Sequence, residues 1–141
     1  MMTRPPQSST CDGGSPPVDS CGIIEHDLCV ISYNMHGFRQ GLAAVRDLML
    51  AIQPDVLLLQ EHWLTPANLH KFDDEFPQYV CFGSSAMRTC VGSGALRGRH
   101  LVALWVLINK RLKNYTQLVC AADRYVIFAV GDLLFVNVYF P

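Results

Sequence analysis

The 141 residues predict a single α/β (α+β) domain, and three observations carry that reading. The chain has a strand, helix, strand pattern near its start and a series of meandering strands towards its end, which together define the class. Hydrophobic residues make up 50% of the sequence against 16% charged, with a net charge of −1, and that balance excludes global disorder. A chain of this size buries roughly two-thirds of the surface its unfolded form exposes, so a core needs no disulfide staples and one domain is expected.

Residues 1 to 22 hold four Pro, four Ser and three Gly with almost no large apolar side chains. They cannot offset the entropy of an ordered backbone and read as a disordered leader, with the domain spanning 23 to 141. LCVISYN, ending at Asn34, alternates and is rich in β-branched and aromatic residues, as a strand should be, and it stops by Gly37. GLAAVRDLMLAI places Leu42, Val45, Leu48, Met49 and Ile52 at three- and four-residue spacings, an amphipathic helix ended by Pro54. VLLLQ, after Asp55, is a continuous apolar run of the kind covered on both faces. A strand, helix, strand unit crosses over right-handed, so the two strands are expected to run parallel with Asn34 and Glu61 at the same edge. Thr65 and Pro66 read as the N-cap and first position of a short helix reaching Phe72 to Phe76, and QYVCFG as a strand. A Ser- and Gly-rich loop follows from Ser84 to Gly98, carrying Arg88 and Arg97 with Arg99 just beyond. LVALWVLI, RYVIFAV and LLFVNVYF are the closing strands, the last two joined by a tight turn at Gly131 and Asp132.

Cys11, Cys21, Cys29, Cys81, Cys90 and Cys120 are scattered, with no CxxC pair, and read as reduced thiols of an intracellular protein without a zinc site. The first residues lack an apolar signal region and LVALWVLI is too short to span a bilayer, so neither secretion nor a membrane is expected.

The polar residues that could carry chemistry sit where strands end: Asn34 with His36 two positions on, and Glu61 with His62 beside it. Ligand sites in open α/β sheets form outside the carboxyl ends of strands, and an amide oxygen with a carboxylate suits Mg²⁺ or Mn²⁺. Spacing alone leaves a second reading open, in which Asn34 caps a turn before Gly37 and Glu61 caps the following helix.

ISYNMHGF, PDVLLLQEHWL and FVNVYFP, in this order, resemble the endonuclease/exonuclease/phosphatase superfamily, the fold of apurinic/apyrimidinic endonucleases and pancreatic deoxyribonuclease. YNMHG and QEHWLTP resemble its non-LTR retrotransposon branch most. The resemblance runs from about Leu28 to Pro141 and implies a two-sheet β-sandwich flanked by helices, the deoxyribonuclease-like four-layer fold, of which this chain is the front half. It implies a DNA-nicking phosphodiesterase with one Mg²⁺ or Mn²⁺ site, weak in this chain, held by Glu61 and supported by Asn34. Tyr139 then contacts the scissile phosphate with Asn137 beside it, and DNA is the expected partner, which would place the protein in the nucleus.

Two positions depart from the family pattern. His36 stands where relatives carry Asp or Asn, an imidazole that binds phosphate or metal but whose charge depends on pH, and it is counted with Tyr139 and Asn34 as catalytic. GRHLVALWV stands where relatives read Gly-Arg-Pro, an aromatic, then Gly-Gly, and a local frameshift is one expectation for it, a genuine apolar strand the other. From Arg88 to Arg124 seven basic residues face one acid, Asp123, so the segment reads either as a phosphate-binding surface, with Arg97, Arg99 and Arg124 as contacts, or as a solvated face.

The general-base Asp and late His of the family have no counterpart in the 141 residues, so the missing C-terminal half of the domain is an expected partner and the chain alone is expected to be inactive. Without that half, VLLLQ and LLFVNVYF are expected to expose apolar surface. A non-catalytic remnant or nucleic-acid-binding module is the alternative, and a lipid or nucleotide phosphatase a weaker one.

Overall fold

The computed structural model describes residues 27–85 and 103–140. The expected leader, Arg88, Arg97, Arg99, Leu101 and Val102 lie outside the described residues. In order come β1 (Val30–Asn34), α1 (Phe38–Ala51), β2 (Val56–Gln60), a 3₁₀ turn (Pro66–Asn68) and α2 (His70–Glu75). Then follow β3 (Tyr79–Ser85), β4 (Ala103–Asn109), a 3₁₀ segment (Lys110–Tyr115), β5 (Thr116–Ala122), β6 (Tyr125–Val130) and β7 (Leu133–Val138).

The strands form two sheets, one in the order β1-β2-β4-β3 and one in the order β5-β6-β7. β1 and β2 pair in parallel with Asn34 opposite Gln60, as the crossover rule requires, and all other pairings are antiparallel. The alternation of β2 divides the core between two faces. Leu57 and Leu59 pack with Phe38, Val45 and Met49 of α1 and Phe72 of α2, whereas Val56 joins Leu104, Val106 and Ile108 of β4 against Val126, Phe128 and Val130 of β6. Each such buried side chain contributes about 1.5–3 kcal/mol relative to exposure. The space between the sheets is closed by rings, with Phe128 stacked on Phe135 at 5.1 Å and edge-on to Phe82 at 5.5 Å.

β2 is therefore covered on both faces by this chain's own elements, contrary to the expectation that VLLLQ is left bare. The expectation for LLFVNVYF is met in part: Leu134, Val136 and Val138 share the outer face of the second sheet and are exposed. β4 is central and paired on both sides, with Ala103 to Ile108 all buried, so LVALWVLI behaves as a genuine apolar strand from Ala103 on.

Three local readings are corrected. α1 begins at Phe38 rather than Gly41, and Ile52 is its half-exposed C-cap. Thr65 and Pro66 do stand at the N-cap and first position, but the Thr65 Oγ1 accepts from Asn68 Nδ2 at 2.8 Å rather than from a backbone N–H, and the expected helix breaks into the 3₁₀ turn and six-residue α2. β5 was not expected at all, because TQLVCAA is an edge strand with a bulge between Leu118 and Cys120 and lacks clean alternation.

Candidate functional site

β1 and β2 end side by side, and their pairing continues past the regular ladder. The carbonyls of Gln60, Glu61 and His62 accept the N–H groups of Met35, Gly37 and Phe38 at 2.8, 2.7 and 2.8 Å. This latch holds two loops in a conformation their residues do not favour. His36, Glu61 and Trp63 have φ of 46°, 54° and 54°, and Gly37 has φ of 102°. Left-handed backbone costs an L-residue roughly 1–2 kcal/mol, so the strain gathered here needs the latch to persist.

The left-handed turn aims the Glu61 side chain inward, where it is 8% exposed. His36 Nδ1 lies 3.3 Å from Glu61 Oε2. The Tyr139 hydroxyl, arriving from the end of β7, donates a hydrogen bond to the Glu61 carboxylate; that bond, with burial and the carboxylate's charge, raises the phenol above its usual pKa and keeps it a donor. Asn34 Oδ1 accepts from the His36 N–H at 3.0 Å, the turn-capping geometry that spacing alone allowed. Glu61, His36, Asn34 and Tyr139 are thus brought together.

Asn137 sits one layer below. It is 2% exposed; its Nδ2 donates to the carbonyls of Leu59 and Trp105, both at 3.2 Å, and its Oδ1 accepts from Gln60 Nε2 at 2.8 Å. Gln60, which sequence reasoning passed over, thereby ties the residue before Glu61 to the strand that delivers Tyr139. A groove of about 440 Å³ opens between edge strands β1 and β7, floored by Gln60 and Asn137 and flanked by Asn34 and Tyr139.

His62 is fully buried, edge-on to Phe72 and Trp105, with Nδ1 accepting the Leu64 N–H at 3.0 Å. Burial pushes its pKa down to about 4 against a smaller opposing effect of the Ser84 backbone, so it is neutral at physiological pH. It anchors the turn and does not line the groove.

Among the described residues, the basic side chains of this segment fall at two ends of the fold. Arg124, in the β5–β6 turn, accepts the Tyr139 N–H on its carbonyl at 3.0 Å and so borders the site. Lys110, Arg111 and Lys113 follow β4 at the opposite end, where Arg111 pairs with Asp55. Neighbours in sequence are separated here by the length of a strand. Arg97 and Arg99 lie outside the described residues.

Among the described residues no three His, Cys, Asp or Glu side chains form a closed metal cluster. One buried carboxylate with an amide and an imidazole beside it is an open, oxygen-rich set, which fits a hard cation that keeps much of its water.

A model of the endonuclease/exonuclease/phosphatase family matches residues 31–140. The chain belongs to that family. Among solved structures, a 3′ phosphatase from Neisseria bound to product DNA hairpin matches with a TM-score of 0.57 and 15% identity over 80% of this chain. An AP endonuclease from Leishmania major matches with the same TM-score and identity over 81%. The chain spans 41% and 40% of those two structures, and at this identity the likeness establishes the shared fold. No curated protein sequence matches the chain significantly. In this family member the two latched loops, 35–37 and 61–65, thus occupy one edge of the two-sheet fold.

Proposed function

We propose that this chain carries the metal and tyrosine side of a divalent-metal-dependent phosphodiesterase site that acts on DNA. The observation that carries the reading is the convergence of the Tyr139 hydroxyl and the His36 imidazole on a carboxylate, Glu61, held inward by a strained turn. Family members generally depend on a divalent metal, and Glu61 with Asn34 would hold one Mg²⁺ or Mn²⁺ ion here. When bound, the ion stabilises the negative charge that develops on the phosphate. Tyr139 would then turn its hydroxyl from Glu61 to a phosphate oxygen, and His36 would contact the same phosphate from the other side. Arg124, at the rim beside Tyr139, would neutralise a neighbouring backbone phosphate, with Arg97 and Arg99 in the same role. Asn137 would act from beneath, setting the height of the β7 end through its bonds to Leu59 and Trp105.

The DNA hairpin held by the Neisseria phosphatase supports DNA as the substrate class. The wording YNMHG and QEHWLTP supports a retrotransposon origin, and a DNA substrate supports action in the nucleus. Among the described residues no helix is long and apolar enough to cross a membrane. The family's general base and late histidine are not among the 141 residues, so the chain by itself is proposed to bind metal without turning over DNA.

Two measurements test this. Titration with Mn²⁺, followed by electron paramagnetic resonance, is expected to show one site that weakens at least about tenfold in Glu61→Gln. Unchanged Mn²⁺ binding in that variant removes Glu61 from the metal site. Incubation of the chain with supercoiled plasmid and Mg²⁺ is expected to give no nicking; nicking that disappears in Glu61→Ala overturns the inactivity of the chain alone.

A further inference from the structure

Trp63 is 43% exposed and has no part in the site as so far described. Single exposed apolar residues are common and carry little meaning by themselves. Three features set this one apart. Its backbone is left-handed, φ 54°, which is an outlier for a bulky residue and costs stability. Its six-membered ring rests on Gly37, so closely that a Cβ there would lie 2.8 Å from Cε3 and 3.0 Å from Cζ3. It is also clamped from both sides in sequence, since His62 is fully buried and the Leu64 N–H is bonded to the His62 ring.

The seat locates the ring. Gly37 follows His36, whose imidazole lies against Glu61, so the indole stands at the rim of the loops that hold the proposed metal carboxylate. A strained, rigidly seated and exposed indole is preorganised to offer a flat apolar face without further loss of side-chain freedom. Every nucleobase has a π-face that matches such a surface, and stacking on aromatic side chains is how unpaired bases are held without sequence preference.

We propose that Trp63 is a stacking platform for an unpaired nucleobase next to the Glu61 site. The inference rests on the nucleic-acid reading above and adds to it a contact residue and a substrate form, DNA with an unpaired or extruded base. Gly37 belongs to the device as the seat that only a residue without a side chain allows, because its φ and the closeness of the ring both exclude one.

The test uses the full chain with a fluorescein-labelled single-stranded dodecamer, in Ca²⁺ rather than Mg²⁺. Trp63→Ala is expected to weaken binding by about 5- to 160-fold, the range found when a stacking aromatic is removed, and Trp63→Phe by much less. Binding is also expected to quench tryptophan emission in the wild type but not in Trp63→Phe, where the buried Trp105 is the remaining tryptophan. Gly37→Ala, checked for folding by circular dichroism, is expected to lower affinity by unseating the ring. Full affinity in Trp63→Ala, with Glu61-dependent Mn²⁺ binding intact, overturns the platform and leaves the phosphodiesterase reading standing. Absence of DNA binding by the wild-type chain overturns the DNA reading and the platform together.

Discussion

The two ends of β2 each carry a buried carboxylate, Asp55 at 6% exposure and Glu61 at 8%, and they are used in opposite ways. Asp55 is enclosed by fixed partners. Its Oδ1 accepts from Arg111 Nε at 3.1 Å and from the Arg111 terminal nitrogen, and its Oδ2 accepts from the Cys29 N–H at 2.9 Å. Its own carbonyl accepts the Asn109 N–H, and the Tyr79 hydroxyl bonds the neighbouring Pro54 carbonyl, both at 2.9 Å. Asp55 itself is not left-handed, although Gln53 two residues before it is, with φ of 52°, and the charge is met by a guanidinium. Glu61 instead sits in a left-handed residue and meets a tyrosine hydroxyl and an imidazole, groups that can turn to another partner. One end of the strand is built to hold the sheet, the other to offer a charge at the cost of strain, which is the pattern expected where function is maintained against stability.

The largest effect belongs to the holding end. Asp55→Ala leaves the Arg111 guanidinium and the Cys29 N–H without their acceptor, and stability is expected to fall by about 3 kcal/mol, at the low end for a broken buried pair because Arg111 is half exposed. Urea unfolding followed by circular dichroism measures it, and a loss under about 1 kcal/mol would mean that the clamp does not hold the sheet. A comparable effect is expected at the site end from acid. The folded-state pKa of His62 is lowered to about 4, so the unfolded chain takes up a proton that the folded one refuses. Stability is therefore full above about pH 6.5 and falls as pH drops through the window down to 4, by up to about 3 kcal/mol for this group. His62→Leu is expected to flatten that part of the pH profile, and an unchanged slope would assign it to other groups. The smallest effect sharpens the contrast most: Glu61→Gln is expected to change unfolding stability by less than about 1 kcal/mol while weakening Mn²⁺ binding. A stability loss as large as that of Asp55→Ala would make the two ends alike.

Much of this was legible in the sequence because periodicity encodes it. The run VLLLQ between Asp55 and Glu61 implies a strand covered on both faces, and the crossover rule places Asn34 beside its end. Trp63 left a faint signal, a large aromatic directly after the strand end in a polar turn, but its exposure follows from a left-handed backbone that composition does not reveal. β5 escaped because an edge strand with a bulge need not alternate. Asn137 and Gln60 show the limit most clearly. Read in sequence, Asn137 lies in the motif that ends in Tyr139 and suggests a phosphate contact; in space its amide is engaged with two backbone carbonyls and Gln60 between the sheets.

By itself the sequence determined every strand but β5, the parallel pairing of β1 with β2 and the edge at which chemistry gathers, since strand alternation and crossover handedness are local rules of chain geometry. Only the tertiary structure decided that Tyr139, 78 positions after Glu61, donates to that carboxylate, and that Arg111 is bound to Asp55 at the far end while Arg124 borders the site. Stacking one sheet on another sets distances between residues remote in the chain, and no spacing along the sequence records them.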